Sequence, residues 1–279
     1  MRGRFAPSPS GALHLGHIST ALLSWLQAHS MGGEWWLRME DNDPQRSKSE
    51  HMHGIRRDLA WLGLHWDVEG PLQSDRHAAY AEALDVLTQQ GLVFACQCTR
   101  KDMEEAVRAS DQSWGSYPGT CLHAHLAMDG PYALRLHHSE DAFVLRRADG
   151  AWAYQLAVVV DDQAQNITHV LRGQDLVNSQ ASQTLLHQKL GGAPPKFNHA
   201  PLWLGPDGVR LSKRHHARSV QDYRLAGWSP NALLGHVACA LGYLPEPTPC
   251  VPKDLLPSFV AHPLRQRAIA PSEVLPLWV

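Results

Sequence analysis

Hydrophobic positions in the first forty residues alternate between the period of a helix and the short apolar runs of buried strands. Residues 4–6 predict a short strand, and residues 7–11 form a turn-rich loop after it. Apolar side chains at positions 18, 21, 22, 25 and 26 recur at helical spacing, which predicts a helix with one buried face. Residues 34–39 predict a second, buried strand. Strand, loop, helix and strand in this order predict a βαβ unit.

The alternation continues along the chain, with an interruption over residues 93–152, where cysteines, turn residues and two short strands near 132–136 and 142–146 are found. The α/β pattern resumes with the apolar run 156–160. Ser49 is a candidate N-cap for the first of the later helices. The other predicted elements are the helices 49–62, 78–90 and 179–190, the strand 167–171, and the extended stretches 199–204 and 209–211 around a turn.

These elements predict an α/β protein with a Rossmann-like, doubly wound parallel sheet, interrupted by an insertion and followed by a small helical domain. The predicted parts are a first half of the sheet domain (1–92), the insertion (93–152), a second half (153–215), and a helical domain with a Pro-rich tail (216–279).

Composition narrows the class of protein. The 279 residues are 44% hydrophobic and 19% charged, and they contain no apolar run long enough for a membrane span. A formal net charge of −2 argues against a general polyanion binder, although the 18 histidines weaken that argument. Any nucleic acid is therefore expected to contact a local patch. The N-terminus has no apolar signal-peptide core, so we expect a cytoplasmic protein.

Two segments carry candidate chemistry. His14-Leu15-Gly16-His17 is predicted at the start of the first helix, where free backbone N–H groups and the helix dipole favour phosphate. On its own, such a histidine pair is also typical of a metal or surface pair. Far along the chain, the basic loop Arg210-Leu211-Ser212-Lys213-Arg214 contains a lysine that can neutralise a triphosphate. The two segments together favour a nucleotide site.

These two segments resemble the HIGH and KMSKS motifs of class I aminoacyl-tRNA synthetases. The segments 4–11, 37–44, 62–67 and 154–157 resemble the glutamyl-tRNA synthetase family in the same order. The sequence after Lys213 is shorter than the anticodon-binding region of full-length family members, so the chain is similar to the shortened glutamyl-Q paralogues. This resemblance implies activation of glutamate by ATP, without tRNA, and transfer of the glutamyl group to the queuosine base in the anticodon loop of tRNA(Asp).

The resemblance implies the site residues. His14, His17 and Lys213 would be catalytic, and Gly16 and Ser212 would join them in binding ATP, which enters with Mg²⁺. A substrate with two carboxylates and one ammonium requires cationic and anionic partners, and arginine suits a carboxylate. Glu40 could instead pair with Arg38 or Arg46, and Arg172 could lie on the surface. The implied glutamate-binding residues are Arg4, Phe5, Ala6, Pro7, Ser8, Glu40, Tyr154 and Arg172.

Val158 departs from the family pattern, because the full-length synthetases have asparagine there. We expect weaker glutamate binding than in those relatives, by about 1–2 kcal/mol for the lost hydrogen bond. The rivals to the implied function are a synthetase that charges the tRNA 3′ end, a nucleotidyltransferase acting on a small acid, and a non-catalytic tRNA-binding paralogue.

Cys96, Cys98 and Cys121 lie close together, and such thiols in a reducing compartment suggest a metal site. The resemblance implies one structural zinc ion per chain, remote from the chemistry, with Tyr117 as its fourth ligand. His123 is a competing ligand, and non-ligating thiols remain an alternative.

The remaining partners are less specified. We expect a monomer without membrane contact. A basic stretch could contact phosphates of tRNA, or its charges could simply be solvated. That stretch comprises Arg210, Lys213, Arg214, His215, His216, Arg218 and Arg224.

Overall fold

Strands and helices alternate along most of the chain in the computed structural model. The structure describes residues 1–99, 101–103, 105, 117, 119–138, 141–205, 208–209, 211, 218–262, 264 and 268–269. The strands are β1 (Arg2–Phe5), β2 (Glu34–Leu37), β3 (Val68–Glu69), β4 (Val93–Cys96), β5 (Ala133–His138), β6 (Asp141–Arg146), β7 (His169–Gly173) and β8 (Lys196–Ala200). The helices are α1 (Leu15–Ser30), α2 (Ser49–Trp61), α3 (His77–Gln89), α4 (Tyr154–Ala164), α5 (Ser179–Lys189), α6 (Val220–Leu225), α7 (Pro230–Leu241) and α8 (Leu256–Ala261).

The central sheet has the strand order β3-β2-β1-β7-β8, and all neighbouring strands in it are parallel. From β1 the chain first builds outward through β2 and β3, and it later returns to the other side of β1 with β7 and β8. The predicted doubly wound parallel sheet is therefore confirmed. Its topological switch point lies between β1 and β7, where folds of this kind bind ligands at the carboxyl ends of the strands.

The chain divides into two compact units. The first contains Met1–Leu72, Asn166–Gln180 and Pro195–Val279, and therefore the whole parallel sheet. The second contains Gln73–Gln165 and Ala181–Pro194. This division does not test the domain boundaries proposed from the sequence (1–92, 93–152, 153–215 and 216–279), which remain predictions.

Helix α1 is at the centre of the first unit and is buried along almost its whole length. One polar pair inside this core is hydrogen-bonded, as burial favours: Trp35 Nε1 donates to Ser24 Oγ at 2.9 Å. The C-terminal helices belong to the same hydrophobic cluster, to which Val220, Leu233 and Leu255 contribute. The predicted strand over residues 34–39 is shorter in the structure, ending at Leu37.

The second unit contains the antiparallel sheet β4-β5-β6 together with α3, α4 and α5. The apolar run 156–160, which periodicity alone does not assign to a strand or a helix, lies in α4 and is buried in this unit's core. Directly after this run, the buried Asp161 accepts hydrogen bonds from Gln73 Nε2 at 2.8 Å, Arg76 Nε at 2.5 Å and Tyr80 Oη at 3.0 Å.

The start of α2 differs by one residue from the sequence prediction. The N-cap of α2 is Lys48, without a side-chain hydrogen bond, so the expectation that Ser49 caps this helix is wrong; the helix includes Ser49 as its first residue. Among the described residues, no helix is both long and apolar enough to cross a membrane.

Candidate active site

His14 and His17 hold each other at the start of α1. His14 is the N-cap, and its Nδ1 accepts a hydrogen bond from the backbone N–H of Gly16 at 3.1 Å. The Nδ1 of His17 accepts from the backbone N–H of His14 at 3.3 Å, and the two rings stack with centroids 3.8 Å apart. Because Nδ1 accepts in both rings, each neutral imidazole carries its proton on Nε2. The pair can therefore present two N–H donors to an anion at a helix N-terminus.

Gly16 is required by this arrangement. A Cβ atom at position 16 would lie 3.1 Å from Cε1 and 3.3 Å from Nδ1 of His14. That contact is tighter than a side chain and a ring normally tolerate, so any larger residue would displace the His14 ring. The glycine of the motif thus serves the ring geometry as well as the approach of a ligand.

The segment that contains the basic loop is joined to α1 at both of its ends. Near the start of the loop, Leu211 N donates to Trp203 O at 2.7 Å, and Trp203 Nε1 donates to Ser19 Oγ at 2.9 Å. After the loop, Ser219 forms an antiparallel bridge with His14, and Val220 N donates to Leu13 O at 2.9 Å. The predicted ATP-binding residues Ser212 and Lys213 themselves lie outside the described residues, as do Arg210, Arg214, His215 and His216.

Two buried arginines lie on the strands that flank the switch point. Arg4 on β1 is 3% exposed and Arg172 on β7 is 4% exposed, so the alternative that Arg172 is a surface residue is wrong. Arg172 Nε donates to His199 Nε2 at 3.4 Å, and its guanidinium carbon lies 4.8 Å from the centre of the Phe197 ring. Guanidinium groups held in this way are suited to bind carboxylates.

Glu40 lies next to the loop that follows β1. Its backbone N–H donates to Pro7 O at 3.0 Å, and Arg38 N donates to Phe5 O at 3.0 Å. The Glu40 side chain accepts a hydrogen bond from Arg38 Nη2 at 3.2 Å, with side-chain exposures of 8% and 0%. The pairing of Glu40 with Arg38, an alternative raised by the sequence, is therefore present in the structure. A carboxylate can accept several hydrogen bonds, so this pairing does not by itself exclude an ammonium ligand.

The other predicted residues of this loop differ in exposure. Phe5 and Pro7 are buried, Ala6 is half-buried, and Ser8 is exposed. Backbone hydrogen bonds hold this loop: its first part pairs with the residues after β2, and Lys48 N donates to Pro9 O at 3.1 Å. Ser8 is thus the side chain of this loop that is open to solvent.

Tyr154 belongs to the second unit, where it is the first residue of α4 and is 36% exposed. The next residue, Gln155, accepts a hydrogen bond from Gln183 Nε2 at 2.8 Å, which ties the start of α4 to α5. Val158 is 1% exposed within the apolar core of this unit.

Cys96, Cys98 and Cys121 form a cluster in which the sulfur atoms lie within 4.8 Å of one another. Cys98 Sγ and Cys121 Sγ are 3.5 Å apart, and Tyr117 Oη lies 3.6 Å from Cys96 Sγ. Tyr117 Oη also accepts from the Cys121 backbone N–H at 2.7 Å. Burial and the neighbouring thiols raise the pKa of Cys98 to about 12. A cation is therefore needed to hold Cys98 as a thiolate.

The cluster fits a tetrahedral metal ion. Bonds of about 2.3 Å from zinc to sulfur place tetrahedral sulfur ligands about 3.8 Å apart. The observed sulfur positions are close to that requirement, and the Tyr117 hydroxyl stands beside them. His123 is exposed, and its ring is not part of the cluster. The geometry therefore favours Tyr117 over His123 as the fourth group.

Some residues around the site were not singled out by the sequence. His199 and Phe197 contact Arg172 from the neighbouring strand β8, and Ser219 contacts His14. The only signal for the first two in the sequence is the alternation of β8, which places residues 197 and 199 on one face of the strand. Of the predicted basic stretch, Arg224 lies 3.8 Å from Asp58 Oδ1 and over the Trp61 ring, within the first unit.

Comparisons with known proteins identify the family. Residues 1–140 and 122–248 match the family described as tRNA synthetases class I (E and Q), catalytic domain. A protein of Symbiobacterium thermophilum named glutamyl-Q tRNA(Asp) synthetase is 40% identical over 98% of this chain and 97% of the relative. A glutamate–tRNA ligase of Oleidesulfovibrio alaskensis is 42% identical over 84% of this chain but only 55% of the relative.

A solved structure has the same fold. The crystal structure of a glutamate tRNA ligase from Elizabethkingia meningosepticum, in complex with its amino acid, superposes with a TM-score of 0.78 at 25% identity. The match covers 99% of this chain and 68% of that one. With the family match and the relatives of near-equal length, the chain belongs to the glutamyl-Q tRNA(Asp) synthetase family of class I aminoacyl-tRNA synthetases.

Proposed function

We propose that this protein activates glutamate with ATP, without tRNA, and transfers the glutamyl group to the queuosine base in the anticodon loop of tRNA(Asp). One observation carries the choice of amino acid: two buried arginines, Arg4 and Arg172, lie on the strands that flank the switch point, and Glu40 lies beside the loop after the first of them. Two cations and one anion match the charges of glutamate. The names of the relatives support the choice of acceptor.

The first step needs no covalent bond to the protein. An oxygen of the glutamate α-carboxylate attacks the α-phosphorus of ATP in line, and the bond from that phosphorus to the pyrophosphate oxygen breaks. The protein contributes by positioning the reactants and by neutralising charge on the phosphates. The Nε2–H groups of His14 and His17 can donate to the phosphates from the start of α1. Lys213 is assigned the neutralisation of pyrophosphate, and Mg²⁺ enters with ATP.

In the second step, a hydroxyl of the queuosine cis-diol attacks the carbonyl carbon of glutamyl-adenylate. An ester bond forms, the bond to AMP breaks, and the hydroxyl proton leaves with AMP or solvent. Tyr154 is assigned to the glutamate site together with Ser8, on the basis of the family resemblance. The protein is proposed to act as a cytoplasmic monomer.

The cysteine cluster is assigned to zinc, with Cys96, Cys98, Cys121 and Tyr117 as the residues that would hold it. When bound there, zinc supplies a structural cross-link between β4 and the segment around Cys121. The protein's own residues in this part contribute packing, because the Tyr117 ring packs at a tilt against Phe94 and lies under the Arg135 guanidinium. No step of the reaction passes through this site.

Glutamate-dependent exchange of pyrophosphate into ATP, measured without tRNA, tests the first step. Exchange with glutamate and not with glutamine or aspartate is expected. Absence of exchange would leave a tRNA-binding protein without catalytic function, and an exchange that requires tRNA would point to a synthetase of the glutamate–tRNA ligase type.

Transfer is tested with labelled glutamate, ATP and tRNA from strains with and without queuosine. Labelling should depend on queuosine and should be lost after periodate oxidation, which destroys a cis-diol. The tRNA 3′ end also carries a cis-diol, so the comparison of the two strains decides the acceptor. Labelling that persists in queuosine-free tRNA would contradict the proposal and favour charging of the 3′ end.

A further inference from the structure

We infer that His199 is a positioning residue that orients the Arg172 guanidinium toward a carboxylate of the amino acid substrate. The inference rests on the proposed function, because that carboxylate belongs to the proposed substrate, glutamate. His199 lies on β8 and is the register neighbour of Arg172 on the parallel strand β7. The contact therefore joins two rigid strands next to the switch point.

The hydrogen bond ties the Nε edge of the guanidinium to β8. Arg172 donates from Nε to Nε2 of His199 at 3.4 Å. A carboxylate can bind arginine side-on, through Nε and one terminal nitrogen, or end-on, through both terminal nitrogens. Since Nε is directed at His199, side-on binding is disfavoured. The contact therefore limits the directions from which a carboxylate can be bound.

A second contact fixes the plane of the guanidinium. The Phe197 ring, two residues before His199 and on the same face of β8, lies with its centre 4.8 Å from Arg172 Cζ. A cation held over an aromatic face resists rotation out of that plane. Phe197 and His199 together leave Arg172 little rotational freedom. The Arg172 side chain is therefore ordered before the substrate binds, which reduces the conformational entropy lost on binding.

His199 must be neutral to accept this hydrogen bond. Burial, with the positive charge of Arg172 as a second cause, lowers the pKa of His199, while Asp175 acts in the opposite direction. Arg172 on β7 and Asp175, just beyond β7, are the charges that act on the ring. At neutral pH the ring therefore carries its proton on Nδ1 and accepts through Nε2.

The test compares two variants by glutamate-dependent pyrophosphate exchange. His199→Phe keeps a planar ring but has no acceptor, whereas the amide oxygen of His199→Gln can take the place of Nε2. His199→Phe is expected to raise the KM for glutamate about tenfold, in line with the loss of a hydrogen bond to a charged group, and to leave the KM for ATP unchanged. His199→Gln is expected to stay close to the wild type in both constants.

A pH profile supplies a readout that does not need the phenylalanine variant to fold. Acidification should raise the wild-type KM for glutamate, because a protonated imidazole no longer accepts from Arg172 and repels it. The KM of His199→Gln should change less over the same range. Equal profiles for the two proteins, or equal KM values for glutamate in His199→Phe and His199→Gln, would overturn the inference. A wild type without glutamate-dependent exchange would instead refute the proposed function.

Discussion

Ser219 and His14 are joined by an antiparallel backbone bridge, and each is the N-cap of a helix. The bridge brings the residues that follow the basic loop to the start of α1, where the histidine pair lies. Ser219 Oγ also accepts from the backbone N–H of Asp222 at 3.2 Å, which closes the first turn of α6. The position of Ser219, which follows the loop, therefore depends on a helix cap.

Replacing this cap should affect activity beyond its effect on stability. Ser219→Ala is expected to lower the free energy of unfolding by about 1 kcal/mol, the usual cost of a lost N-cap. It should also lower kcat for pyrophosphate exchange severalfold, because Ser219, which follows the basic loop, is then less firmly held beside His14. Ser229→Ala is the matched control, since Ser229 caps α7 in the same way through Ala232 N at 3.2 Å. Urea unfolding shows whether both variants are folded. Equal kcat values of the two folded variants would contradict the prediction.

Breaking the pair between Arg38 and Glu40 should be costly. Arg38→Met leaves a carboxylate with 8% side-chain exposure without its buried cation, and such losses cost about 3–5 kcal/mol. The KM for glutamate should rise as well, because Glu40 loses the group that orients it. Urea unfolding and exchange kinetics measure the two effects.

The control for this variant is Arg56→Met. Arg56 pairs with Glu69 through Nη2 and Oε1 at 2.6 Å, but both side chains are about 30% exposed, at 31% and 29%. An exposed pair of this kind contributes at most about 1 kcal/mol. A similar loss of stability in Arg38→Met and Arg56→Met would show that burial of the Arg38 pair has no energetic consequence.

Substitutions at Val158 and Val159 separate an effect on glutamate affinity from an effect on stability. Val158→Asn is expected to tighten glutamate binding by about 1–2 kcal/mol through a restored hydrogen bond. It should also lower stability, because the position is 1% exposed in an apolar core. Val159→Asn introduces the same amide at an equally buried neighbouring position and should only lower stability. Glutamate affinities measured by calorimetry that are equal for the wild type and Val158→Asn would refute the binding effect.

The zinc assignment predicts a pattern of metal content. The purified protein should contain about one zinc ion per chain, as expected for a single tetrahedral site. Cys98→Ser should lose it, and Tyr117→Phe should bind it more weakly, while His123→Ala should not differ from the wild type. Cys239→Ser is the control, because Cys239 lies outside the cluster. Elemental analysis measures the content, and zinc retained in Tyr117→Phe but lost in His123→Ala would assign the fourth ligand to His123.

Acidification should destabilise the protein through four partly buried histidines. Burial lowers the pKa values of His29, His169, His199 and His236 below the ordinary value of 6.5. The unfolded chain then binds more protons than the folded one as pH falls through about 6.5, so the free energy of unfolding decreases in that direction. The loss levels off below the folded pKa values.

This pH dependence is measured by urea unfolding between about pH 7.5 and 5, a range centred on the ordinary histidine pKa. The double variant His169→Gln/His236→Gln removes two of the four groups and should show a smaller slope. His123→Gln, at an exposed position, is the control and should keep the wild-type slope. A double variant with an unchanged slope would show that burial of these rings does not govern the acid dependence.

Much of the fold and the family could be predicted from the sequence, because the signals are local. Helical spacing in the first helix, short apolar strands and turn residues specify a βαβ unit, and the motifs around His14 and Glu40 identify the family. The secondary structure of the apolar run 156–160 is not specified by its local pattern, since four or five apolar residues in succession fit a strand and a helix equally well. The cap of α2 was misplaced by one residue, because a serine can begin a helix as well as cap it.

Contacts between distant segments were decided only by the tertiary structure. The strand order places β7 beside β1 and β8 beside β7, and this brings His199 and Phe197 to Arg172. Folding likewise joins Ser219 to His14, and it buries Arg38 with Glu40. The sequence by itself determined which residue types are available for glutamate, nucleotide and metal. Their partners and exposure follow from strand pairing and core packing, which depend on contacts between residues far apart in the chain.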